Sequence, residues 1–193
     1  MKKLIFATNN NNKVAEIRSM AGATFEFISL KEAGIDIDIA EPHDTLEANA
    51  REKCITIYKL TGEDCLSEDT GLEVQALRGE PGVKSARYAG EKRDDEDNVM
   101  KLLEKMDGFD NRNARIRTVI YLLLSGKEYS FEGVCNGTVA TVPKGQMGFG
   151  YDPVFVPEGC TKTFAEMTLQ EKNTLSHRKK AFLKLQNFLS QIG

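Results

Sequence analysis

A chain of 193 residues with 40% apolar residues and a net charge of −3 can bury one substantial core, and it lacks the basic excess of a protein that grips a nucleic-acid backbone. No apolar run approaches the roughly 20 residues needed to span a bilayer, and the run after Met1-Lys2-Lys3 is too short for a signal peptide. The four cysteines, Cys54, Cys65, Cys135 and Cys160, have neither Cys-x-x-Cys nor Cys/His ligand spacing, so free thiols in a reducing cytoplasm are expected.

Apolar spacing then orders the elements. Residues 3–7 read as a short strand, Thr8 to Asn12 as a polar loop, and a helix begins near Lys13 with Val14, Ile17 and Met20 on its inner side. A second helix follows Asp44, the expected cap with Glu47 reaching back to it, and Leu46, Ala50, Cys54 and Ile57 form its apolar stripe. Asn49, Arg51 and Lys53 are assigned to its other faces. The charged run from Glu91 to Asp97 opens a solvated helix whose inner residues are Val99, Leu102, Leu103 and Met106. From Ala114 onward the period changes to that of strands, and Ser125-Gly126 turns the chain into a second strand near Tyr129. The upper part of the first strand is apolar on both faces, as a central strand would be. Ser176 caps a last helix carrying Ala181, Phe182, Leu185, Phe188 and Leu189 at three-and-four spacing. Helices before and after a hairpin-like block predict a single α/β domain over residues 1–193, with a mixed rather than a purely parallel sheet.

Four polar segments carry the candidate chemistry. Thr8, Asn9, Asn10, Asn11, Asn12 and Lys13 lie where a strand hands over to a helix, whose N-terminal amides and dipole favour an anion; a plain Asn-rich turn is the alternative. Glu68 and Asp69, followed by Thr70 and Gly71, offer hard oxygen ligands of the kind that suit Mg²⁺, or else form an acidic turn in solvent. Glu41 is a further lone carboxylate. The run Gly148-Phe149-Gly150-Tyr151-Asp152-Pro153 supplies aromatics that could stack on a purine and a carboxylate that could accept from a ring N–H, or simply a turn with a core anchor. Glu171-Lys172-Asn173 is followed closely by Ser176-His177-Arg178, which puts a histidine and an arginine in the first turn of the last helix, where cations oppose its dipole, or else forms an exposed basic turn. Neither a Walker loop nor Gly-x-Gly-x-x-Gly is present.

In this order the segments resemble the inosine/xanthosine triphosphate pyrophosphatase family, the non-canonical purine triphosphate pyrophosphatases. The resemblance runs from Thr8-Asn9-Asn10 and Lys13 through Glu41, Thr45 to Ala50, Glu68 to Val74, Pro81-Gly82-Val83 and Ser85 to Gly90. It continues through Gly148 to Pro153, Phe164 to Met167 and Glu171-Lys172-Asn173 to Ser176-His177-Arg178. It implies an elongated α/β protein with a mixed β-sheet flanked by helices, two lobes with a central cleft, usually a homodimer that uses Mg²⁺. It also implies residue roles. Thr8 to Lys13 bind the triphosphate, Asp69 is metal ligand and proton acceptor with Lys13 beside it, and Glu41 is a second metal contact. Thr70 touches substrate, and Phe149, Gly150, Tyr151, Asp152, Lys172, His177 and Arg178 surround base and ribose. Asn9 stands where many relatives have Gly, and Glu68 where many have Asp.

The activity so implied is cleavage of the inosine and xanthosine nucleotides (ITP, dITP, XTP) to monophosphate and pyrophosphate, with water attacking the α-phosphorus near Asp69. Donors such as His177 or Arg178 would meet the purine 6-oxo group, and the adenine amino group would leave them unpaired. Two rivals make different forecasts: a Maf-like pyrophosphatase of other specificity, and a module that senses nucleotides without turnover.

Overall fold

The computed structural model describes residues 2–21 and 25–192; residues 1, 22–24 and 193 lie outside the described set. Six strands form one sheet in the order β2-β1-β3-β4-β5-β6 among the described residues. They are β1 (Lys2–Phe6), β2 (Phe25–Ser29), β3 (Cys65–Val74), β4 (Asn113–Leu124), β5 (Lys127–Val139) and β6 (Phe155–Pro157). The helices are α1 (Asn11–Met20), α2 (Leu46–Thr61), α3 (Asp95–Lys105), α4 (Leu169–Leu175) and α5 (His177–Ile192). β1 pairs in parallel with both β2 and β3, whereas β5 and β6 are antiparallel, so the sheet is mixed and the α/β class expected from the sequence holds.

Two compact units make up the chain. The first comprises Met1–Asp69, Thr118–Gly133 and Lys180–Gly193, the second Thr70–Arg117 and Val134–Lys179. The first has a core of Leu4, Phe6, Ile17, Leu66, Ile120 and Leu122 under the α5 residues Ala181, Phe182 and Leu185. Residues 4–7 are all buried, which is why β1 reads as an unbroken apolar run rather than an alternating one. The second unit packs Leu72, Val74, Val99, Leu102, Ile116, Phe155 and Phe164 together. Cys54, Cys65, Cys135 and Cys160 are all free thiols, and Cys54 Sγ donates to the Cys65 carbonyl at 2.9 Å. Among the described residues no helix is long and apolar enough to cross a membrane.

Several boundaries differ from those expected, each for a local reason. α1 starts at Asn11, ahead of Lys13, because Asn10 Oδ1 accepts from the Asn12 and Lys13 amides and satisfies two orphan donors. The cap of α2 is Thr45, whose Oγ1 accepts from Ala48 N at 3.2 Å, not Asp44. Glu68, Asp69 and Gly71 lie inside the ten-residue strand β3, so the acidic turn suggested by Gly71 does not form. α4 owes its start to a capping box in which Thr168 and Glu171 satisfy each other's amides, so Glu171 is structural. Asn49 and Lys53, assigned to faces of α2 other than its apolar stripe, are 1% and 7% exposed.

Candidate active site

In the first unit, Glu68 and Asp69 are successive residues of β3, so their side chains leave opposite faces of the strand. Glu68, fully buried, meets Lys13 of α1, with Nζ 3.2 Å from Oε1. Asp69 meets Lys53 of α2, whose Nζ lies 3.1 Å from Asp69 Oδ1 and 2.7 Å from Glu41 Oε1. Lys53 thus serves two carboxylates, and the charge of Lys13 also reaches Asp69. The second oxygen of Asp69, Oδ2, is buried and accepts no hydrogen bond. Burial raises the Asp69 carboxyl above the ordinary aspartate range, against the pull of the Lys53 and Lys13 charges. Lys53 loses by burial as well, yet the charges of Asp69 and Glu41 raise its pKa and keep it protonated.

The polar loop before α1 lies against the segment that carries Glu41. Thr8 Oγ1 accepts from Asn10 N at 3.1 Å, and Asn9 Nδ2 donates to the Ile37 carbonyl at 2.8 Å. Asn11 and Asn12 are exposed in the first turn. Since the cap takes the Asn12 and Lys13 amides, an anion here would rely on side chains more than on free backbone donors.

In the second unit, Asp152 organises the glycine-aromatic loop. Its Oδ2 accepts from Phe149 N at 3.0 Å and from Lys172 Nζ at 2.5 Å, a pair in which both side chains are buried. Gly148 has φ +79°, and a Cβ there would lie 2.0 Å from Asp152 Oδ2, so the approach requires glycine. Gly150 N donates to Asp95 Oδ2 of α3 at 2.7 Å. Phe149 is half-buried, with Lys172 Nζ 5.1 Å and the Arg178 guanidinium carbon 5.5 Å from its ring centroid. Arg178 is 1% exposed, and its Nη2 makes a long 3.5 Å hydrogen bond to Thr70 Oγ1. His177 is buried, its ring centroid 6.5 Å from that of Phe164 with the two planes inclined by 61°.

Of the two aromatics put forward to meet a purine, Tyr151 is a core anchor. It is 8% exposed, packs in the apolar core of its unit, and donates its hydroxyl to the Ser85 carbonyl at 2.9 Å. That leaves Phe149 as the aromatic of this loop with a partly open ring.

Within the first unit the structure brings together Lys13, Glu41, Glu68 and Asp69; within the second it gathers Thr70, Phe149, Asp152, Lys172 and Arg178. Lys53 was missed as a member of the first set, and Asn49 as the residue that holds the nearby backbone of His43. Periodicity assigns a Lys or Asn between apolar positions to solvent, and only the Glu41 and Asp69 carboxylates, distant in sequence, make burial of that lysine tolerable. Among the described residues no three His, Cys, Asp or Glu side chains converge as a metal-ligand set. The Asp69 Oδ2 that accepts no hydrogen bond and the Glu41 carboxylate on the same lysine are hard oxygen donors of the kind that suit a divalent cation.

Residues 4–188 match the model of the Ham1 family. A dITP/XTP pyrophosphatase of Flavobacterium johnsoniae is 48% identical over 188 residues, covering 97% of this chain and 98% of the relative. The Ham1 protein of Staphylococcus aureus superposes with a TM-score of 0.89 at 36% identity, covering 100% of both chains. A Ham1 protein from Coxiella burnetii gives a TM-score of 0.90 at 34% identity, over 99% of this chain and 100% of that one.

Proposed function

The chain belongs to the Ham1 family, and from that premise we propose that it is a nucleoside triphosphate pyrophosphatase that splits dITP, ITP and XTP into the monophosphate and pyrophosphate. The observation that carries this reading is the buried Asp69, held at one oxygen by Lys53 and left without a partner at the other. A carboxyl kept above its ordinary range by burial is suited to take a proton. Water beside it attacks the α-phosphorus, the bond to the α,β-bridging oxygen breaks, the water's proton passes to Asp69, and pyrophosphate leaves. Lys13, a few ångströms from Glu68 in the same cluster, supplies positive charge for the triphosphate. Asp69 and Glu41 are the residues that would hold Mg²⁺, which when bound adds further charge neutralisation at the phosphate oxygens.

The purine falls to the second set. Phe149 offers a face for stacking, and the Arg178 fork beside it offers donors that suit a 6-oxo group and would be left unpaired by adenine. Lys172 and Asp152 hold that loop in shape. The relatives' names, dITP/XTP pyrophosphatase, support this substrate class; the homodimeric setting comes with the family resemblance in the sequence, and the cytoplasmic one with the free thiols.

A substrate panel tests the proposal. Purified protein with Mg²⁺ is offered inosine, xanthosine, guanosine, adenosine and thymidine triphosphates, with pyrophosphate and orthophosphate measured separately. Pyrophosphate from the first two, far faster than from the others, is the expected result. Orthophosphate as the primary product would contradict attack at the α-phosphorus, and tight binding without products would indicate a sensor.

A further inference from the structure

Asn49 is 1% exposed in the interior of α2, where a buried amide is costly unless all its hydrogen bonds are made. Both its polar atoms go to one residue. Oδ1 accepts from His43 N at 2.9 Å, and Nδ2 donates to the His43 carbonyl at 3.0 Å, much as a neighbouring strand would pair with that residue. Residues 35–42 form neither helix nor strand, so this stretch has no ladder of its own to hold it. Glu41 lies two residues before His43, and its carboxylate is gripped by Lys53, one turn beyond Asn49 on the same face of α2. The helix thus fixes this segment twice, by its backbone through Asn49 and by its carboxylate through Lys53.

We propose that Asn49 is a positioning residue: by clamping the backbone of His43 it sets the Glu41 carboxylate beside Asp69, ready for a divalent cation. The inference rests on the assignment of Glu41 and Asp69 to cation binding above. Partners that orient metal-binding side chains typically contribute about 10- to 100-fold in metal affinity or activity, which sets the expected size of the effect.

The test replaces Asn49 by Ala and by Leu; Leu fills the amide's volume with no hydrogen bond and favours the helix. Pyrophosphate release from inosine triphosphate is followed against Mg²⁺ concentration, Mn²⁺ binding is followed by electron paramagnetic resonance with a non-hydrolysable inosine triphosphate analogue, and hydrogen exchange is measured over residues 38–44. Expected for both variants are a half-saturating Mg²⁺ concentration raised by about 10-fold or more, weakened Mn²⁺ binding, faster exchange in that segment, and near-parental turnover once Mg²⁺ is saturating. His43→Ala, which keeps the clamped backbone, leaves all four readouts unchanged. A metal response and exchange pattern like the parent's in both Asn49 variants would overturn the proposal, as would a loss of turnover that no Mg²⁺ concentration restores while Mn²⁺ binding is intact. A parent protein that turns over equally well without metal would instead overturn the underlying assignment of Glu41, and is recognised before any variant is made.

Discussion

The Glu41, Lys53 and Asp69 cluster and the Asp152, Lys172 and Phe149 cluster each bury a lysine against carboxylate, but they spend it differently. In the first, one lysine serves two carboxylates and an Asp69 oxygen is still left over. In the second, one carboxylate oxygen takes a lysine and a backbone amide together, and two cations face a single aromatic ring. One arrangement leaves a carboxylate oxygen without a hydrogen bond; the other settles its charge around a half-buried ring. On the proposed reading a buried ion pair serves the chemistry in the first region, whereas in the second it shapes the loop that carries Phe149.

That contrast can be broken at its firmest point first. Lys172→Met removes the ammonium that pairs with a buried Asp152 oxygen and should lower stability by about 3 kcal/mol, the scale for stripping one partner from a buried pair. Urea unfolding measures it, and a loss within experimental error would mean that Lys172 is not scaffold. Next comes Asp69→Asn, which keeps shape and fold but should cut pyrophosphate release about 100-fold or more; near-parental rates would take Asp69 out of the chemistry.

The same residue predicts a pH dependence. Burial raises its carboxyl above the unfolded value, so the native state binds the proton more tightly than the unfolded chain does. Stability should fall as pH rises from the ordinary aspartate range, near 3.8, through the raised folded value, and the cost remains in full above that window. Asp69→Asn should flatten this slope, and saturating Mg²⁺ should oppose it; unfolding midpoints across pH, with and without metal, decide whether they do.

Smaller effects sharpen the picture. Phe149→Ala should weaken every purine triphosphate alike, by roughly 10-fold in KM, because stacking is worth about 1–3 kcal/mol and is indifferent to the base; a variant that discriminates anew between purines would contradict this. Arg51, half-exposed and paired with Glu128 at 2.8 Å through two nitrogens, belongs to neither cluster. Arg51→Ala should cost under about 1 kcal/mol in urea and leave turnover alone.

The apolar half of the fold was readable because helix and strand periods write themselves into the chain: the Leu46, Ala50, Cys54, Ile57 stripe and the all-apolar top of β4 are buried as their spacing predicts. Caps were harder, since Asp44 and Thr45 are both good N-caps and only the backbone turn chooses between them. β2, β6 and α4 are too short to carry a period. In the candidate site, the ordered segments pointed to Asp69, Lys13 and Phe149, while Tyr151 went to the core because a ring beside two glycines looks the same in sequence whether it faces inward or outward. Lys53 and Asn49 were invisible for a different reason: their burial depends on Glu41, Asp69 and His43, contacts that no local pattern encodes.

The division of labour between the two clusters is tested most directly by the ratio of kcat/KM for inosine triphosphate to that for adenosine triphosphate, compared between Lys13→Ala and Arg178→Lys. The account predicts that Lys13→Ala slows both substrates and leaves the ratio within about 2-fold, whereas Arg178→Lys, which keeps the charge but loses the fork, shrinks it by roughly 10-fold, the worth of a charged hydrogen bond. A ratio that collapses in Lys13→Ala and stands unchanged in Arg178→Lys would contradict it.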